Sequence, residues 1–197
     1  MSTLGVVGIL TSKHRRKRPG APHAIVLHDT VSHTADGAQR TLDAEGYGTH
    51  FLIEPSGRIL QTADPATEAV SHCGGFNDAS IGVDVVAILD PSLANAGELT
   101  RTIKRSWSAS KRSGKVIDYT TAQRAAVAHL VRALCDHFGI PHYVLDAQVG
   151  YGEKVPGLSP AFRGVLAHSQ WSTKRWDGLL AVESLIAAGF EHDGGAT

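Results

Sequence analysis

Three short and almost uninterrupted apolar runs constrain the fold of this chain more than any other feature. They are Ala24–Leu27, Ile81–Leu89 and Gly164–Ala167. Apolar runs of this length, bounded by polar or turn-forming residues, predict strands that are buried inside a sheet. A long amphipathic pattern lies between the second and third runs and predicts a helix. Strands that occur together with long helices predict a mixed α/β fold, in which helices flank a central mixed sheet.

The remaining elements follow from local signals. Residues 50–53 and 58–61, separated by the turn sequence Glu-Pro-Ser-Gly, predict a hairpin. Thr120, with Gln123 three residues later, predicts a capping box at the start of the long helix. Gly139 and Pro141 predict the end of that helix. Two further helices are expected over residues 37–45 and 178–188.

Length and composition restrict the class of protein. The chain has 197 residues, 42% of them hydrophobic, and predicts a single domain over residues 1–197 with a substantial core. Its 19 basic and 19 acidic residues give zero net charge, which argues against a nucleic-acid-binding protein. No apolar stretch approaches the ~20 residues that span a bilayer. We therefore expect a monomer that binds neither nucleic acid nor membranes.

Two basic segments and the N-terminus complete this description. The run Lys13–Arg18 is interpreted as a solvated loop. Residues 90–118 form a long polar and basic insertion, which is either functional or mobile. The first ten residues lack a basic region and a cleavage site, so they make a poor signal peptide.

Two of the apolar runs end in a histidine, His28 and His168, and a carboxylate follows the second at Asp177. Strand ends lead into loops, where binding and catalytic groups are often found. Catalytic zinc sites use three such side chains and leave a fourth position open. Each histidine alone is better explained as a packed or surface residue, because the spacing does not form a tight local motif.

The order of motifs resembles the type 2 N-acetylmuramoyl-L-alanine amidases, a family that includes phage endolysins, bacterial amidases and peptidoglycan-recognition proteins. The resemblance covers residues 24–178 and rests on IVLHDT, GTHFLIEPSGRILQ, AVSHCGGFNDASIGVDVV, YTTAQRAAVAHLVRALCDHFGI and GVLAHSQWSTKRWDG. It implies a mixed sheet with a zinc site at one edge. It also implies hydrolysis of the amide between N-acetylmuramic acid and L-alanine in peptidoglycan.

The resemblance also implies roles for individual residues. His28, His168 and Asp177 match the three zinc ligands, and Asp84 matches a carboxylate that acts as general base. An ion-paired or solvent-facing role is the alternative for Asp84. Relatives carry a lysine two residues before the third ligand, where this chain has Arg175 with Lys174 beside it. One of these two cations is expected to stabilise the oxyanion, and side-chain alternation along an extended stretch places Arg175 on the same side as Asp177.

Four further positions are expected to bind substrate: Tyr47, Thr49, His72 and Asn77. Thr49 stands where many relatives have a tyrosine, and Tyr47 lies two residues before it. His72 matches a histidine of the substrate cleft, and a loop histidine that caps nearby backbone is the alternative. Gly178 replaces a proline that usually follows the third ligand.

We therefore predict a zinc-dependent peptidoglycan amidase, of the kind that a phage or prophage produces in the cytoplasm and releases to the cell wall. A muropeptide-recycling enzyme and an exported effector are alternative settings for the same chemistry. A binding module that holds muropeptides without cleaving them is the alternative from another functional class. Loss of the third ligand usually accompanies loss of catalysis in that family, and Asp177 is present here.

Overall fold

A mixed sheet of eight strands lies at the centre of the described structure, as the apolar runs predict. The structure is a computed structural model, and it describes residues 5–88, 100–102, 115–147, 149 and 153–193. The strands are β1 Val6–Ile9, β2 Arg15–Lys17, β3 Ala24–Asp29, β4 Phe51–Ile53, β5 Ile59–Gln61, β6 Glu68–Val70, β7 Ser80–Val85, β8 Thr100–Thr102, β9 Lys115–Ile117, β10 Tyr143–Val144, β11 Gly164–Ala167 and β12 Glu191–His192. The helices are α1 Ala35–Glu45, α2 Thr121–Phe138, α3 His168–Trp171 and α4 Leu179–Ala187.

The strand order of the central sheet is β1-β5-β4-β7-β3-β11-β10-β12. The six strands from β4 to β12 in this order are parallel, while β5 pairs antiparallel with β4 and β1 runs parallel with β5. The carboxyl ends of β3, β7 and β11 therefore meet at one edge of the sheet. Open α/β sheets commonly bind ligands at this edge.

Helices cover both faces of the sheet and divide the core. Helices α2 and α4 pack on one face, against alternate residues of β3 and β7 such as Ile25, Leu27 and Val83. Helix α1 covers part of the other face, where Leu52 and Leu60 are buried. The loop after β6 contributes Phe76 to the same face. The predicted mixed fold is therefore confirmed.

Local capping determines where α1 and α2 begin. The capping box of α2 forms as predicted, because the Thr120 hydroxyl accepts from the Gln123 amide and the Gln123 side chain accepts from the Thr120 amide. Helix α1 begins two residues before the predicted position, because the side chain of Thr34 caps the helix by accepting from Gly37. The β4–β5 hairpin also forms with the predicted turn.

The basic run before β3 is more ordered than its sequence indicates. Residues 15–17 form β2, an exposed strand that pairs with β6, and Arg18 is buried. The Arg18 guanidinium donates to the carbonyls of Glu68, Asp78 and Ser80. The prediction of a loop is wrong for residues 15–17, which form a strand but are exposed as predicted. The prediction of solvation is wrong for Arg18, because backbone acceptors from distant segments satisfy its buried charge.

The predicted basic insertion over residues 90–118 lies largely outside the described residues. Of that range, residues 100–102 and 115–117 form the two-stranded antiparallel sheet β8–β9. Among the described helices, none has the length and apolar character needed to cross a bilayer.

His50 joins three segments on the face of the sheet opposite α2. Its Nδ1 atom accepts a hydrogen bond from the Gly82 amide at 2.9 Å, so its Nε2–H donates to the Glu68 carbonyl at 3.0 Å. Burial and the neighbouring Arg18 charge lower the pKa of His50 to about 3. The folded protein therefore holds His50 neutral at a pH where the unfolded chain would protonate it.

We expect His50 to make the fold acid-sensitive. The unfolded state binds this proton below about pH 6.5 and the folded state only below about pH 3, so the free energy of unfolding falls as the pH decreases between these values. The slope from one such group reaches at most ~1.4 kcal/mol per pH unit. Urea unfolding of the metal-free protein between pH 7 and pH 4 measures it.

The matched variant is His50→Asn, whose side-chain oxygen retains an acceptor near the Gly82 amide but does not titrate. It should be less stable than the wild type at pH 7, and its unfolding free energy should depend less on pH. An equal dependence in the two proteins would show that other groups cause the acid sensitivity.

Candidate metal centre and active site

His28 and His168 are brought together by the pairing of β3 with β11. These parallel strands align Leu27 with Ala167, so the residue that follows each of them is a histidine at the carboxyl edge of the sheet. Both histidines are buried, at 5% exposure each. Their ring centroids lie 4.6 Å apart in an edge-to-face arrangement. The sheet register thus converts two distant sequence positions into neighbours.

Asp177 completes the cluster from the loop between α3 and α4. Its Oδ2 atom lies 3.1 Å from Nδ1 of His28 and 3.3 Å from Nδ1 of His168. Ligand atoms of the three residues all lie within 4.8 Å of one another. Two imidazole nitrogens and one carboxylate oxygen form a donor set that suits zinc. The three predicted ligands therefore form a group that could hold a metal ion.

The protonation of the three residues is consistent with metal binding. Burial opposes charge on Asp177, but hydrogen bonds from His168 and His28 hold the pKa of its carboxyl below the usual range. Burial also lowers the pKa of His168. The pKa of His28 is raised because the Asp84 and Asp177 carboxylates outweigh its burial. An anionic carboxylate beside two histidines provides metal ligands once the His28 proton is displaced.

Asp84 lies next to His28 across the β3–β7 ladder. The two residues are direct partners in the parallel register, so their side chains point to the same face. Asp84 is buried, and burial raises the pKa of its carboxyl, while the charge of His28 and a hydrogen bond with Thr49 act in the opposite direction. A carboxyl group in this position beside a candidate metal group is suited to accept and release a proton.

The four residues predicted to bind substrate lie at different depths relative to the cavity. Tyr47 is 46% exposed and lies at the mouth of the cavity. His72 also lines the cavity, with its Nδ1 atom 3.1 Å from Nε2 of His28. Thr49 is fully buried behind Asp84. Asn77 accepts from the amides of His72 and Cys73, so it shapes the loop that carries His72.

The two candidate cations are both exposed, but they differ in position. Arg175 lines the cavity, and Lys174 is not among the cavity-lining residues described. The positive charge of Arg175 also acts to lower the pKa values of His28, Asp84 and His168. Arg175 is therefore the cation that lies near the cluster.

Asp29 is a supporting residue that the sequence analysis missed. One carboxylate oxygen accepts from the Tyr119 hydroxyl, and the other accepts from the Gly178 amide at 2.7 Å. Burial raises the pKa of Asp29 to about 7. Gly178 directly follows the third candidate ligand, so Asp29 ties the ligand loop to the strand that carries His28. A second polar residue directly after His28 was the available signal.

Gly178 itself allows the loop to approach β3. Its φ of 92° lies in the left-handed region, and a Cβ atom there would come within 2.2 Å of the Leu27 carbonyl oxygen. A contact that short would force the backbone apart. Glycine in place of the usual proline therefore lets the loop that carries Asp177 pack closely on β3.

Gln170 supports the site from α3 and was also missed. Its side-chain oxygen accepts from the Ala167 amide, and its nitrogen donates to the carbonyls of Leu145 and Ala147. These bonds fix the turn at which the chain leaves β11 and enters the helix that begins with His168. No local pattern in the sequence identifies the two bonds to carbonyls, because Leu145 and Ala147 lie more than twenty residues away.

The cluster opens into a cavity of about 190 Å³. The lining residues are His28, Asp29, Thr30, Val31, Ser32, Ala38, Thr41, Leu42, Tyr47, Gly48, His72, Asp84, His168, Arg175 and Asp177. The buried Thr30 hydroxyl finds no hydrogen-bond partner among the described residues. The cavity thus combines a candidate metal group, a buried carboxylate, a cation and a free hydroxyl.

Solved structures with similar folds come from several sources. The endolysin amidase LysCS from Clostridium intestinale is 15% identical with a TM-score of 0.54, and the match covers 92% of this chain and 97% of that one. The Ph2119 endolysin of a Thermus scotoductus bacteriophage is 18% identical with a TM-score of 0.54, covering 93% and 99%. Drosophila peptidoglycan-recognition protein SA is 12% identical with a TM-score of 0.54, covering 94% and 89%.

These likenesses establish the fold alone, and no curated protein sequence matches the chain. The family assignment comes from the sequence model of the N-acetylmuramoyl-L-alanine amidases, which matches residues 17–178. That range contains the whole cluster, the Asp84 strand and the cation that lines the cavity. On this match, the chain belongs to the N-acetylmuramoyl-L-alanine amidase family.

Proposed function

We propose that this protein is a zinc-dependent amidase that hydrolyses the bond between N-acetylmuramic acid and L-alanine in cell-wall peptidoglycan, as an endolysin does. The observation that carries the proposal is the convergence of His28, His168 and Asp177 with Asp84 in one cavity. A site that only held muropeptides would not need a buried carboxylate beside the metal group.

Zinc fits the donor set that these residues offer. His28, His168 and Asp177 would hold the ion, which supplies, when bound, a Lewis acid that polarises the scissile carbonyl and activates water. Three protein ligands leave a position that faces the cavity. The ion also balances the negative charge of Asp177, which is otherwise costly to bury.

Asp84 would act as the proton shuttle. Its carboxylate accepts the proton of the attacking water and then delivers it to the nitrogen of L-alanine as the amide bond breaks. Thr49 orients the carboxylate from behind, and this contact compensates in part for the burial of Asp84. The direct β3–β7 pairing of Asp84 with His28 brings the short aspartate side chain to the cluster.

Arg175 would stabilise the negative oxygen of the tetrahedral intermediate. A guanidinium carries a fixed charge and several donors, so it can bind the oxyanion without giving up a proton. Tyr47 at the mouth of the cavity and the Thr30 hydroxyl inside it are suited to contact the glycan or peptide of the substrate. Thr49 and Asn77 would act through the residues that they orient.

The zinc-loaded protein should release intact glycan strands and free stem peptides from purified cell walls. Mass spectrometry of the products should show new N-terminal L-alanine and no cleavage inside the peptide. Chelation should abolish the release and zinc should restore it. Walls with meso-diaminopimelate and walls with lysine should both be tested, because the two stem peptides differ beyond the scissile bond.

Asp84→Asn is the matched control for this experiment. It should keep zinc and wall binding, while kcat falls by ~10²–10⁴ through loss of the general base. A wild-type protein that binds zinc and walls but releases nothing would support the muropeptide-binding alternative. Cleavage of soluble muropeptides without cleavage of walls would support a recycling enzyme.

The roles of the two cations can be separated by substitution. Arg175→Ala should lower kcat by ~10²–10³ with zinc retained, which is the usual loss for one oxyanion donor. Lys174→Ala should change kcat by less than about fivefold, because an exposed charge away from the cavity acts only weakly. Steady-state kinetics on a soluble muropeptide, with zinc content measured on the same samples, make the comparison. A large loss in Lys174→Ala with a mild effect in Arg175→Ala would contradict the assignment.

A further inference from the structure

Which atom donates in each hydrogen bond behind His28 follows from the groups that can carry a proton. Ser80 Oγ lies 2.7 Å from the carbonyl oxygen of Phe76 and 3.1 Å from Nε2 of His72. A carbonyl oxygen cannot donate, so the single hydroxyl proton of Ser80 is directed to Phe76. The two distances also match an O–H···O bond and an N–H···O bond, respectively. His72 therefore donates its Nε2–H to Ser80.

The same logic continues into the metal group. With the proton on Nε2, the neutral His72 ring presents a lone pair at Nδ1. That atom lies 3.1 Å from Nε2 of His28, so His28 donates its Nε2–H to His72. The remaining nitrogen of His28, Nδ1, is the atom that faces Asp177 and the cavity. The relay thus runs from His28 through His72 and Ser80 to the backbone of Phe76.

We infer that His72 is a positioning residue, which holds His28 in the tautomer that directs the lone pair of Nδ1 to the metal ion. The inference rests on the metal site of the proposed function and is independent of the hydrolytic step. Partners that hold the second nitrogen of a metal-binding histidine are usually carboxylates, carbonyls or water. Here another neutral imidazole would take this role.

The surroundings of His72 support a fixed orientation. Among the described residues, the hydrogen-bond partners of the ring are the Ser80 hydroxyl and the His28 imidazole, and neither is an anion that would favour a charged ring. Asn77 fixes the His72 backbone by accepting its amide at 3.0 Å. The His50 ring packs edge-to-face on the other side, with centroids 5.8 Å apart.

Gly82 provides the space that the ring occupies. A Cβ atom at this position would lie 2.9 Å from Cγ and Nδ1 of His72, closer than such atoms approach one another. The glycine in the Ser80–Gly82 segment of β7 is therefore required by the position of the imidazole. The acceptor for the ring and the space that it occupies therefore both come from β7.

The test compares zinc affinity in the wild type, two His72 variants and one control variant. His72→Phe fills the same space without an acceptor, and should weaken zinc binding by ~10- to 100-fold, the usual loss for such a partner. His72→Asn can return an acceptor oxygen close to the Nδ1 position, and should recover part of that loss. Competition with a chromophoric chelator measures the zinc affinity of each protein. His129→Phe makes the same exchange on the exposed side of α2 and should leave zinc affinity unchanged.

A second measurement does not depend on zinc or on activity. Nitrogen-15 NMR of the histidine side chains in metal-free protein should show His72 protonated at Nε2 and unprotonated at Nδ1. The opposite tautomer would overturn the inference, as would unchanged zinc affinity in His72→Phe. A residue that only contacts substrate would raise KM in His72→Phe and leave zinc affinity unaltered. A wild type that bound zinc but released no wall fragments would contradict the proposed function and leave this inference standing.

Discussion

The contact of one carboxylate with two imidazoles is the interaction around which the rest of the structure is arranged. Asp177 meets His28 and His168 in a buried position where an unpaired charge would be strongly unfavourable. The two histidines reach it because β3 and β11 are parallel neighbours in register. The helices on the opposite face keep these strands dry and in place. The packing of the apolar core thus holds this small polar group in position at the edge of the sheet.

Much of this arrangement could be predicted from sequence, because its signals are local. Apolar runs, a turn sequence and a capping box predicted the central strands, the hairpin and the start of α2. The three candidate ligands could also be identified, since two of them directly follow apolar runs. The order of family motifs then added Asp84 and the cation before the third ligand. What these residues bind and catalyse stays a prediction.

The parts that could not be predicted depend on contacts between distant segments. Arg18 is buried because carbonyls 50 to 62 residues away surround its guanidinium. Asp29 and Gly178 meet across 149 positions, and the Gln170 side chain binds carbonyls in a separate loop. Every residue has a backbone carbonyl, so the amino-acid sequence does not indicate which carbonyls accept these hydrogen bonds.

The close packing of Gly178 on β3 has a thermodynamic consequence for metal capture. The Leu27 carbonyl and the Asp29 carboxylate hold the backbone beside Asp177 through contacts within the protein. The conformational entropy lost by ordering this loop is therefore lost during folding, and not when an ion arrives. The affinity for a metal ion at this group would then reflect ligand chemistry and desolvation, with little penalty for loop closure. Such a centre would be a rigid receptor, in contrast to small zinc domains whose chain folds around the ion.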